Sequence, residues 1–89
     1  MKIAAAILLF MAISTPASGW QGQDVALGTD ILISSRSVAT PGNEIRFYDE
    51  NSGEYRLGEV QSVFGFGKLI TVEVYDYDMG KHRTFEMPK

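Results

Sequence analysis

The chain has 89 residues, with 8 Lys plus Arg against 11 Asp plus Glu, one His, no Cys and a net charge of −3. So short a chain holds one domain, and without cysteine it has neither disulfides nor a Cys/His catalytic pair. The negative balance repels phosphate backbones, which argues against nucleic acid as a partner.

The first element in chain order is a leader. Lys2 is followed by eleven apolar residues, Ile3 to Ile13, and then by the small and polar stretch Ser14-Thr15-Pro16-Ala17-Ser18-Gly19. This is the layout of a secretory signal peptide, residues 1–19, with cleavage expected before Trp20 and an alternative cut before Ser18. A membrane anchor needs about 20 apolar residues, and a lipoprotein needs a cysteine that is missing. Removing the leader leaves 7 Lys plus Arg against 11 Asp plus Glu, a net charge of −4. The expected setting is the periplasm or the exterior, with no membrane anchor after cleavage. Residues 20–89 then form a single small β domain that must be stabilised by packing, hairpins or self-association.

Next come Asp24 and Gly28, then a β-rich run over Asp30–Ser34 and a longer connection through Thr40-Pro41-Gly42-Asn43. Residues 45–60 and 72–87 are two copies of one phrase, 27 positions apart, with identities at Tyr48/Tyr75, Asp49/Asp76, Gly53/Gly80, Arg56/Arg83 and Glu59/Glu86. Each copy alternates apolar and polar residues around an Asp-to-Gly turn, which predicts a β-hairpin. A four-residue loop, 50–53, sets Tyr48 against Tyr55 and Ile45 against Gly58. The same loop in the second copy sets Val72 against Phe85, Ile70 against Met87, Tyr75 against His82 and Glu73 against Thr84. A three-residue loop would put Val72 against Glu86 and spoil the apolar face.

Between the copies, Gly65-Phe66-Gly67 is expected to be a loop that sets Phe64 against Lys68 and Val60 against Val72. Strands are thus predicted at about 44–49, 54–64, 68–76 and 81–87, with 30–34 as a fifth. Asp24 and Gly28 share the spacing of the two turns, but two matched letters are better ascribed to chance. Five short strands with one apolar face predict an all-β fold, a small five-stranded SH3-like barrel or a strongly curled antiparallel meander.

The turns Asp49-Glu50-Asn51-Ser52-Gly53 and Asp76-Tyr77-Asp78-Met79-Gly80 resemble the front of a calcium loop. Asp49, Asn51, Asp76 and Asp78 are therefore candidate ligands for a weak site. Each turn offers only two or three side-chain oxygens and lacks a bidentate Glu, and a bare hairpin turn uses the same letters. His82 stands where the first copy has Tyr55, which makes it a packing partner of Tyr75, and no serine lies in a nucleophile motif. No enzymatic activity and no cofactor are expected.

By this register Tyr48, Tyr55, Tyr75 and His82 face away from the core, with Tyr77 in the adjoining loop and Asp49, Glu54, Asp76 and Asp78 around them. Such a surface suits a basic or proline-containing peptide, another protein or envelope component, or a glycan. Tyrosine pairs also favour β-sheet with no ligand at all. Homo-oligomerisation through the tyrosine face is the remaining alternative. Arg56 and Arg83 have core-side parity near the turns, where they could bridge turn carboxylates or carbonyls.

The leader, Trp20, Asp24-x-x-x-Gly28, Pro41-Gly42, the run from Phe47 to Arg56 and the run from Val74 to Met87 together resemble a family of small exported proteobacterial proteins known only as a domain of unknown function. The resemblance spans nearly all of residues 20–89, and the two Tyr-Asp hairpins are its specific part. It implies a periplasmic or secreted setting and brings no activity, ligand or catalytic residue. Met79 departs from the Ser or Thr expected there, so the two turns need not be equivalent.

Overall fold

A computed structural model describes residues 19–89, so the expected leader lies outside the described residues save for Gly19. Six strands follow one another: β1 Gly19–Asp24, β2 Thr29–Ser34, β3 Glu44–Asp49, β4 Glu54–Phe66, β5 Leu69–Asp76 and β6 Lys81–Pro88. Each pairs antiparallel with the next, and β1 pairs with β6 at Gln23↔Glu86 and Asp24↔Phe85, which closes a barrel. The fold is all-β, as the alternation of residue types requires.

The inward positions of the strands meet in one core. Ile31, Ile33, Ile45, Phe47, Val60, Val72, Val74, Phe85 and Met87 are all buried, and Trp20, Ala39, Val63 and Ile70 pack around them. Phe47 and Phe85 meet edge to face at 5.1 Å, a favoured aromatic geometry. Two glycines let the strands come close enough to curl. A Cβ on Gly22 would run into the carbonyl oxygen of Glu86 and the sulfur of Met87, and one on Gly58 would lie 2.6 Å from the carbonyl oxygen of Tyr75.

The register expected for the two Tyr-Asp hairpins is the register found. Tyr48↔Tyr55 and Ile45↔Gly58 pair in the first, and Val72↔Phe85, Ile70↔Met87, Tyr75↔His82 and Glu73↔Thr84 pair in the second. Two expectations are corrected. The strand count is six rather than five, because the Asp24 to Gly28 segment is a third hairpin, β1–β2, with Asp24↔Thr29 as its closing pair. The β4–β5 loop is also shorter than expected, the two residues Gly67 and Lys68 between the closing pair Phe66↔Leu69. A register shift between Val60 and Ser62 then places Val60 opposite Val74, Val63 opposite Val72 and Phe64 opposite Thr71. The extra residue of a bulge resets the alternation, and Gly67, at φ 64°, suits the first position of a tight hairpin turn.

Candidate functional site

The three hairpins β1–β2, β3–β4 and β5–β6 turn at one end of the barrel and share one construction. In each, the backbone oxygen of the opening Asp accepts the N–H of the Gly four residues on: Asp24 from Gly28 at 2.8 Å, Asp49 from Gly53 at 2.7 Å and Asp76 from Gly80 at 2.8 Å. Gly28, Gly53 and Gly80 have φ of 68°, 75° and 64°, the left-handed region that side chains with a Cβ disfavour. The Asp side chains divide their oxygens. Oδ1 accepts loop amides, from Leu27 at 3.0 Å, Asn51 at 2.9 Å, and Asp78 and Met79 at 2.9 and 3.1 Å.

The three Oδ2 atoms converge on Arg83. Its Nε donates to Asp24 at 2.8 Å, and its Nη1 to Asp49 at 3.0 Å and Asp76 at 2.9 Å. Asp24, Asp49, Asp76 and Arg83 are all buried. Arg56 adds a second cation at the rim, 3.3 Å from Asp49 and 3.7 Å from Asp78. Burial opposes charge on Asp49, but hydrogen bonds from Arg83 and the Asn51 amide, the Arg83 charge and Arg56 outweigh it and hold its carboxyl below its ordinary 3.8. Burial likewise opposes the Arg83 charge, and Asp24, Asp76 and Asp49 more than reverse it. Two of the guanidinium's nitrogens, Nε and Nη1, thus serve three carboxylates.

This arrangement engages the carboxylates of two of the four residues proposed for calcium. Asp49 and Asp76 are turned inward to Arg83, Asn51 contributes its backbone amide, and Asp78 faces Arg56. Among the described residues no group of three or more His, Cys, Asp or Glu is arranged to hold a metal ion. The bridging role expected of the two arginines is met, with Arg83 buried in the barrel rather than at the rim. Asp24, its third partner, is the site residue that sequence reasoning missed. Its signal was the four-residue spacing to Gly28.

The tyrosines lie on the outer surface in two groups. Tyr48 meets Tyr55 edge to face at 5.1 Å, and the Arg46 guanidinium stacks 4.5 Å over the Tyr55 ring. Tyr75 meets His82 at 5.1 Å and Tyr77 at 6.1 Å. Leu57 stands between the groups: it is the cross-strand partner of Arg46, and its carbonyl accepts the Tyr77 N–H at 3.1 Å. Tyr55, Leu57 and Tyr77 are exposed. Partial desolvation, with Glu59 and Glu44 nearby, raises the Tyr77 hydroxyl above its ordinary 10.0. Beside the first group a groove of about 260 Å³ runs along β2 and β3, lined by Gln21, Asp30, Ile31, Leu32, Tyr48, Glu50 and Tyr55. Arg46 and Leu57 have the same outward parity as the tyrosines and could have been found by it. The groove wall on β2 could not, because the β2–β3 pairing has no local turn to announce it.

The model of the family described as "Family of unknown function (DUF5334)" matches residues 20–89. Neither the curated proteins nor the solved structures yield a match.

Proposed function

The chain belongs to this family of unknown function, and we propose that it acts as a small exported binding module, without catalysis of its own, through its tyrosine-lined outer face. The ligand class is a basic or proline-containing peptide segment of an envelope or extracellular protein. One observation carries the reading: the groove beside the Tyr48/Tyr55 pair joins exposed aromatic surface to the carboxylates of Asp30 and Glu50. An aromatic wall takes an aliphatic stem or a proline ring, and the acids take a terminal cation. The leader, residues 1–19, supports export to the periplasm or beyond. The single histidine packs on Tyr75 and the chain has no cysteine, which supports a non-catalytic role.

The test is a titration of the isotope-labelled protein with synthetic peptides: lysine- and arginine-containing, proline-rich, and a matched acidic control. The expected result is a set of shifted resonances around Tyr48, Tyr55 and Asp30, weakened about tenfold or more by Tyr55→Ala, the size of a lost hot-spot contact. Equal binding of the acidic control, or unchanged binding in Tyr55→Ala, would sink the reading.

A further inference from the structure

Among the described residues, strand β4 past Val60 has a neighbour on one side only. Residues 54–59 pair with β3, and Val60 exchanges backbone bonds with Gly42 at 2.8 Å and Asn43 at 2.9 Å. Residues 62–66 then pair with β5 alone. Alternate backbone groups of an antiparallel strand point to opposite sides, so half of the N–H and C=O groups along 62–66 face no strand among the described residues. The arm also exposes Phe64, Phe66 and Leu69, with Phe66 83% exposed. From Val60 to Val72 there is no acid and one charge, Lys68, in the turn at the tip. Free edges are usually blocked by Lys, Pro or a bulge. Here the bulge lies at the root of the arm, between Val60 and Ser62, and the edge beyond it is open among the described residues.

The root is opposite in sign to the tip. Glu44 and Glu59 are direct cross-strand partners, a like-charge pair that is unfavourable. Among the described residues neither carboxylate forms a salt bridge.

We propose that two copies of this chain pair edge to edge and antiparallel through residues 62–66 of β4, bringing the Lys68 tip of each to the Glu44/Glu59 root of the other. A strand paired antiparallel with its own copy is two-fold symmetric, so one contact satisfies both edges and assembly closes at two. The two-fold axis falls near the middle of 62–66, where Phe64 meets the second copy. Tip and root carry opposite charge in the same chain, which is why a second copy fits this edge better than an unrelated strand. The contact leaves Tyr48 and Tyr55 uncovered and is independent of the peptide reading.

Sedimentation equilibrium of the protein, expressed with its natural N-terminus, tests this. A monomer–dimer equilibrium is expected. Phe64→Lys places two like charges near the axis and should raise the dissociation constant about tenfold or more. Lys68→Glu and Glu59→Lys should each weaken the dimer, and because Glu44 stays in the root the double swap should recover part of what Lys68→Glu loses. Phe64 and Lys68 are on the arm and Glu59 is half-buried at its root, so thermal midpoints measured at low concentration report whether the fold survives. A protein that stays monomeric at millimolar concentration overturns the proposal. So does a dimer indifferent to Phe64→Lys, a double swap without recovery, or a dimer lost on Tyr48→Ala instead.

Discussion

At the turn end of the barrel three loops close on one buried arginine, whereas at the other end β4 runs on past β3 to an exposed phenylalanine. The turn end joins hairpins that are distant in the chain: Arg83 lies 59 residues from Asp24 and 34 from Asp49. In a domain with no cysteine this cluster does the topological job of a cross-link, holding three separate hairpins in one arrangement. Among the described residues the arm has no such clasp, and no strand lies along one side of its backbone. The difference separates two uses of polar groups. Buried and mutually bonded, they fix which hairpin sits where. Left unpaired on an edge, they invite another chain.

The largest effect should come from breaking the clasp. Arg83→Met leaves three buried carboxylates without their cation, and removal of one partner from a buried ionic cluster costs about 3–5 kcal/mol. Arg56, at the rim, touches the same Asp49, but Arg56→Met should cost about 1 kcal/mol or less. Urea unfolding of the two variants compares them directly. Equal losses would mean that the cluster is not the clasp described above.

Glycine-to-alanine changes sharpen the contrast at the next level. Gly22→Ala and Gly58→Ala drive a methyl into backbone atoms of the neighbouring strand and should each cost about 1–3 kcal/mol. Gly65→Ala on the arm meets the flexible Lys89 side chain at 3.3 Å and the Leu69 carbonyl oxygen at an ordinary 3.9 Å, and should lie within about 0.5 kcal/mol of the parent. Unfolding midpoints in urea decide it, and a costly Gly65→Ala would put the arm inside the packed body.

The turn end should also be the acid-sensitive end. The Asp49 carboxyl is held below 3.8 in the folded protein, so the unfolded chain takes up the proton more readily. Its contribution is complete above that value and is lost as pH falls through the lower folded-state value. The thermal midpoint should therefore fall as pH is lowered below about 3.8. Asp49→Asn should start lower and flatten this limb. An acid limb of unchanged slope in Asp49→Asn would assign the acid response to other carboxylates.

Much of this architecture is legible in residues 45–60 and 72–87, where alternation and the Asp-to-Gly turns fix the pairing. The third hairpin is harder to see for a physical reason. The inward positions of β1 are Trp20, Gly22 and Asp24, and β6 passes so close to Gly22 that no apolar side chain fits there, so the strand lacks the alternation that betrays the others. The convergence of Asp24, Asp49 and Asp76 follows only once that hairpin is recognised. Parity already put Arg83 on the core side, but burying a guanidinium makes sense only with all three carboxylates present. The register shift between Val60 and Ser62 is likewise silent in the sequence, because Gln61 and Ser62 are ordinary strand residues. The tyrosine groups were visible as pairs, and the groove beside them was not, since it depends on β2 lying against β3.

The smallest effect expected is the one that tests the open end. Phe66 is 83% exposed, so Phe66→Ser removes little buried area and should shift the stability of the dilute protein by about 0.5 kcal/mol or less. A free-standing arm gives that small value at every protein concentration. An arm paired with a second copy gives it only in dilute solution. As concentration rises, dimerisation stabilises the parent by mass action, and the difference between parent and Phe66→Ser should widen. Thermal midpoints of the two proteins, measured across a hundredfold range of concentration, therefore separate an aromatic ring left in water from one that is covered by assembly.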